Sequence, residues 1–221
     1  MIQMLRVSKQ FSSSLWALSD ISLSIHWGEF VSIEGPPGAG KSTLLRLMGL
    51  REKPSKGQMA VDGVDVSTLP EARTFARRRR LIFLHPTDGF FPNLNLKDNL
   101  RLAVDVAGTP PPPGPRHCMD ALAAVGLENL WNQKPQALPD AQRLRLLLAR
   151  ALIRRPRMLL VDECMNNMEA EDFQVWLRVL RQCQEAGATI VTTGQQRLCG
   201  TPRRLQLKGG FLHTEAQSQH A

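Results

Sequence analysis

One stretch limits the possible folds of this chain more than any other: Gly35-Pro36-Pro37-Gly38-Ala39-Gly40-Lys41-Ser42-Thr43. It is a complete Gly-x-x-x-x-Gly-Lys-Ser pattern, set between a short apolar run at residues 30–34 and a helical pattern over about 40–50. A strand that turns through glycines into a helix start points successive backbone N–H groups into one concavity, and the helix dipole adds partial positive charge there. Such a loop suits the anionic tail of a nucleoside triphosphate. Lys41 is expected to meet the β and γ phosphates, and Ser42 to offer its hydroxyl to Mg2+.

A site of this kind needs an acidic group at the end of a neighbouring buried strand, and Met158-Leu159-Leu160-Val161-Asp162-Glu163 supplies one. Asp162 is expected to hold the metal through water. Glu163 is placed to polarise the water that attacks the γ phosphate. An apolar run ending in Asp-Glu is common by itself; joined to the loop, it specifies a nucleoside triphosphate with Mg2+.

The rest of the chain reads as α/β. Residues 81–84 and 189–193 look like further buried strands, and 96–106, 118–125, 139–154 and 169–185 like helices. Segments 2–7, 21–25 and 58–61, the last before an Asp62-Gly63 turn, suggest a small antiparallel annex. Residues 108–115 are too rich in proline to continue a helix and read as a stiff loop, and 215–221 as a frayed tail. With 43% apolar and 22% charged residues, the chain is neither disordered nor a disulfide miniprotein. Cys118, Cys164, Cys183 and Cys199 fit no zinc or redox spacing and read as buried or idle thiols.

No apolar block reaches the roughly 20 residues a spanning helix needs, and Met1 to Arg6 lacks the core of a signal peptide. The expected location is cytoplasmic. The formal charge of +8 is concentrated at Arg77 to Arg80, at 143–157 and at Arg203-Arg204. Such runs mark nucleic-acid or anionic-lipid contact, or else a solvated face or docking surface for an acidic partner. No aromatics interleave with them as a single-strand platform requires, and the tandem cassettes, zinc modules or long coiled coils of repair proteins are not seen, so no nucleic acid is expected.

With both motifs in place, the chain resembles the ATP-binding cassette ATPases over nearly its whole length. Phe11 stands where that family stacks an aromatic on adenine, a place a plain core phenylalanine fills equally well. Trp27-Gly28-Glu29-Phe30 resembles the family's approach to the phosphate-loop strand, residues 138–152 its signature helix, and 162–169 its Walker B and D-loop stretch. Asn167 within Asn166-Asn167-Met168-Glu169 is similar to the loop of the branch containing FtsE and the lipoprotein and macrolide exporter ATPases.

The resemblance implies a P-loop NTPase fold in one domain, 1–221, with a mainly parallel core sheet and antiparallel annex (1–84 and 155–221) and a helical subdomain (85–154). It implies ATP and Mg2+ as ligands, bound by the loop residues 35–43, Ser42 and Asp162. It also implies a head-to-tail pair of cassettes, homodimeric or heterodimeric, on the inner face of the cytoplasmic membrane. The partner is an integral membrane subunit, an FtsX-like protein or a permease, received after His85 near Phe90 and Phe91.

Several family sensors are altered. The signature Leu-Ser-Gly-Gly-Gln is here Leu138-Pro139-Asp140-Ala141-Gln142. Pro139 removes a donor and a hydroxyl, Ala141 crowds the approach, and Asp140 brings a negative charge toward a triphosphate. At about 5 Å and an effective dielectric of about 20, one like-charge pair costs on the order of 3 kcal/mol. The same proline and aspartate also suit a first helical turn. His85-Pro86 replaces the family's glutamine, Glu169 its D-loop aspartate, and Cys164-Met165 its Pro-Thr. Gln195 stands in for the histidine, or Gly194 if the alignment shifts by one. These changes imply slow hydrolysis or, alternatively, an ATP-sensing regulatory or scaffold subunit.

Overall fold

The structure is a computed structural model and describes residues 1–12, 15–107, 115–194 and 203–214. In chain order its elements are β1 (Ile2–Ser12), β2 (Leu15–Ile25), β3 (Phe30–Glu34), α1 (Lys41–Met48), β4 (Lys56–Val61), β5 (Val64–Asp65), α2 (Glu71–Arg78), β6 (Leu81–Leu84), α3 (Leu96–Ala107), α4 (Pro115–Ala124), α5 (Asp140–Leu152), β7 (Met158–Asp162), α6 (Ala170–Glu185), β8 (Thr189–Gly194), β9 (Arg203–Lys208) and β10 (Phe211–Thr214).

The core sheet has the order β10-β9-β3-β8-β7-β6, parallel except for the β9–β10 hairpin at one edge. Its central strands are buried without alternation because both faces are covered. Phe30, Ile82, Leu84, Leu159, Val161 and Ile190 face a layer that includes α5 and α6. Their alternate neighbours, among them Val31, Ile33, Phe83, Leu160 and Val191, face α1 and the second sheet. Helix α6 buries Trp176, Leu177, Val179, Leu180 and Cys183, a single stripe at helical spacing.

The second sheet is antiparallel, in the order β2-β1-β4-β5, so the expected annex is present with longer strands than the sequence indicated. Three further elements were not foreseen. Helix α2 absorbs Arg77 and Arg78 from the tetra-arginine run, and β9 absorbs Arg203 and Arg204. Strand β10 completes the edge.

The basic run 143–157 is largely consumed by the fold. Arg143 pairs with Asp140, Arg145 with Glu171 and Asp172, and Arg157 with Asp62. Arg150 donates to the Gly89 carbonyl at 2.6 Å, and Arg154 to that of Arg79 at 3.2 Å. Cys118, Cys164 and Cys183 are buried free thiols. Cys199, the proline-rich loop and the tail lie outside the described residues. Among the described residues no helix is long and apolar enough to cross a membrane.

Candidate functional site

Strand β3 ends at Glu34, and the chain turns through residues 35–40 into α1. Helix α1 begins without a side-chain cap and without an acidic residue in its first turn. Its first amides and dipole therefore face the concavity unneutralised. Pro36, Pro37 and Gly38 are exposed on the rim, whereas Ala39, Lys41 and Thr43 are buried and Ser42 is half-buried.

The three glycines of the loop are required for different reasons. A Cβ on Gly35 would lie 2.1 Å from the Leu207 carbonyl oxygen of β9, and one on Gly40 would lie 2.4 Å from that of Ala17 in β2. Close approach at those two positions is to neighbouring strands of the fold. Gly38, at φ +76°, has nothing within 4 Å of its Cβ position, so there the space is open and only the left-handed backbone selects glycine.

The Lys41 side chain is 3% exposed and folds back on its own loop. Its Nζ donates to the carbonyls of Gly35 (2.8 Å) and Pro36 (3.0 Å) and lies 3.6 Å from Glu163 Oε1. An ammonium has three donors; two here are taken by loop carbonyls, and the Glu163 carboxylate lies within ion-pair distance. Glu163 is half-buried, with the backbone in the left-handed region at φ +56°.

Asp162 is completely buried at the end of β7. Its Oδ1 accepts from Ser42 Oγ at 3.0 Å and from Thr193 Oγ1 at 2.8 Å, while Oδ2 is buried with no hydrogen-bond partner. An orphaned carboxylate oxygen in a protein interior calls for a partner. A hard divalent cation of the Mg2+ kind binds through one or two carboxylates together with hydroxyl, water and phosphate oxygens. The donor set of Asp162 and Ser42 fits such an ion. Thr193, on β8, was not singled out from the sequence.

The other candidate residues are arranged as follows. Phe11 is 54% exposed, with the Lys9 ammonium 5.1 Å from its ring centroid, which excludes the core reading. Leu138 is buried, while Pro139, Asp140 and Ala141 are exposed at the start of α5, and Gln142 is half-buried. Asp140 forms an ion pair with Arg143 one turn on. The negative charge expected at that tip thus has a partner on its own helix. His85 is tied within its own turn, its Nδ1 2.7 Å from Thr87 Oγ1 and its backbone N–H donating to Asp88. Glu169 is the exposed N-cap of α6, and Gly194 ends β8. Gln195 lies outside the described residues.

Past His85, a cavity of about 550 Å3 opens between the loop after β6 and the first turns of α5, lined by Pro86, Gly89, Phe90, Asp140, Leu144 and Leu147. The buried amide of Asn99 braces that loop: its Oδ1 accepts from the Phe91 N–H, and its Nδ2 reaches the carbonyls of Phe91, Leu94 and Asn95. Arg150 lies beside that loop, 4.8 Å from the Phe90 ring centroid. Burial lowers the pKa of its guanidinium, and the nearby Asp88 carboxylate counters part of that effect.

Residues 18–166 match the ABC transporter family. The cell division ATP-binding protein FtsE of Bacillus subtilis is 30% identical over 191 residues, covering 86% of this chain and 84% of that protein. The lipoprotein-releasing system ATP-binding protein LolD 2 of Caulobacter vibrioides is 31% identical over 214 residues, covering 95% and 94%. The ATP-binding cassette MJ0796, solved as a dimer in a post-hydrolysis state with ADP and Pi, superposes with a TM-score of 0.85 at 26% identity, covering 97% of this chain and 98% of that one. Family match, relatives and fold agree: the chain belongs to the ABC transporter family, as an ATP-binding cassette.

Proposed function

We propose that this cassette binds Mg-ATP in the loop of residues 35–43 and hydrolyses it slowly, driving a separate integral membrane protein from the cytoplasmic side. The observation that carries this reading is the buried, unpartnered Asp162 Oδ2 beside Ser42, with Lys41 and Glu163 facing each other nearby. Lys41 exchanges its loop carbonyls for phosphate oxygens, and Ser42 with Asp162 holds the cation. Phe11 offers an exposed aromatic face to the base. Glu163, released from Lys41, orients and deprotonates the attacking water. When bound, the divalent ion supplies charge neutralisation at the phosphate oxygens.

Residues 85–154 act as a helical unit on the core formed by 1–84 and 155–221. Its groove after His85 receives the membrane subunit, an FtsX-like protein or a permease. The relatives FtsE and LolD point to division or envelope transport. The dimer of MJ0796 supports a head-to-tail pair of cassettes, with this chain or with a second one.

The altered tip of α5 favours slow turnover, because Pro139 has no N–H to give and caps the helix with no side-chain hydrogen bond. The same feature motivates the second reading, a nucleotide-sensing regulatory or scaffold subunit in which binding alone shifts the conformational equilibrium. Phosphate release from the purified chain with its membrane partner separates the two. Wild type is expected to release phosphate, and Glu163→Gln to do so at least about a hundredfold more slowly. Equal rates remove the hydrolytic role of Glu163; nucleotide affinity with no turnover in wild type selects the second reading.

A further inference from the structure

We propose that Thr193 is a positioning residue that sets both acidic side chains of the site through one hydroxyl group, a role that rests on the Mg-ATP reading above. Strands β7 and β8 are parallel, and their register sets Thr193 opposite Asp162. The Thr193 hydroxyl donates to Asp162 Oδ1 at 2.8 Å, and the same oxygen accepts from the Glu163 backbone N–H at 3.1 Å. A hydroxyl has one donor and two lone pairs, so both contacts are made at once. Thr193 and Asp162 are 3% and 0% exposed, and the β-branched side chain is stiff about χ1, so the hydroxyl has little freedom to turn elsewhere.

The two contacts have different consequences. Together with Ser42, Thr193 satisfies Asp162 Oδ1 and leaves Oδ2 as the oxygen without a hydrogen-bond partner, which fixes the carboxylate in the orientation a cation needs. The second contact anchors Glu163 at φ +56°, a backbone conformation that costs a non-glycine residue and turns this side chain toward Lys41. Such bonding is not automatic for a threonine on this strand: the hydroxyl of the adjacent Thr192 is buried with no partner. Thr193 thus couples Asp162 to Glu163 across two strands.

The test uses Mn2+ as a spectroscopic probe, titrated by electron paramagnetic resonance into the purified chain saturated with ATP, alongside ATP affinity measured without divalent ion. Loss of a hydrogen-bond partner behind a metal ligand weakens metal binding about 10- to 100-fold, and that loss is expected for Thr193→Val. Thr193→Ser, which keeps the hydroxyl, is expected to retain wild-type Mn2+ affinity, and metal-free ATP affinity is expected to be unchanged in both. Should Thr193→Val fail to fold, Thr193→Ala takes its place in the same titration. Wild-type Mn2+ affinity in the variants lacking the hydroxyl, or an equal loss in Thr193→Ser, overturns the role of Thr193 and leaves the Mg-ATP reading intact. Absence of ATP-dependent Mn2+ binding in wild type overturns that reading itself.

Discussion

At the scale of single residues, the glycines of the phosphate loop separate two demands that a sequence pattern merges. Gly40 combines a left-handed backbone with a Cβ position 2.4 Å from the Ala17 carbonyl, whereas Gly38 has the backbone demand alone. Gly38→Ala is expected to lose about 1–2 kcal/mol of stability from the left-handed conformation. Gly40→Ala is expected to lose more, because strand β2 or the loop must also shift. Urea unfolding of the two variants checks the order; equal losses contradict the packing argument. The ion pair of Asp140 with Arg143 is a second case in which neighbours decide the behaviour. Asp140 carries a formal charge toward the helix tip, yet Arg143 on the same turn pairs with it. Pro139, just before Asp140, has no N–H to offer at that tip.

At the scale of elements, the junction between the two sheets hangs on Asp62, in the turn between β4 and β5. Its Oδ1 accepts from the Trp27 indole at 2.7 Å and its Oδ2 from Arg157 at 2.7 Å, and the Arg157 guanidinium also lies 4.1 Å from the Trp27 ring centroid. Burial pushes the Asp62 carboxyl up, but the Trp27 hydrogen bond, the Met1 amino group and Arg157 outweigh it and hold the carboxyl below its ordinary value. A carboxyl lowered in the folded state stabilises the protein above its unfolded pKa of about 3.9, and the contribution is lost as pH falls through the folded value. Asp62→Asn is therefore expected to lower stability near neutral pH and to flatten the acid limb of a stability profile followed by thermal unfolding. A variant with an unchanged acid limb contradicts the linkage.

The same scale shows what was legible in the sequence. Strands β3, β6 and β7 were readable to the residue because each is a short, mostly apolar run closed by a turn or an acidic residue. Helix α2 and strand β9 were hidden by arginines; in β9 only Leu205 and Leu207 are buried, too few to mark a strand against four polar neighbours. The loop and its Asp-Glu partner are each a contiguous motif, and so were visible although 120 residues separate Ser42 from Asp162. Thr193 lies 31 residues from Asp162, and only the parallel register of β7 and β8 brings them together. No local pattern carries that information.

At the scale of the whole molecule, the core sheet holds the loop at the ends of its strands while helices and the antiparallel sheet cover its two faces. The apolar groove after His85 lies against the first turns of α5. All of this depends on the loop gripping an anionic tail. Isothermal calorimetry of the purified chain with ATP and Mg2+ tests that grip most directly. Wild type is expected to give a saturable heat, and Lys41→Ala to bind about ten- to a hundredfold more weakly, the value of a charge-assisted hydrogen bond. No heat from wild type, or equal affinity in Lys41→Ala, would contradict the account.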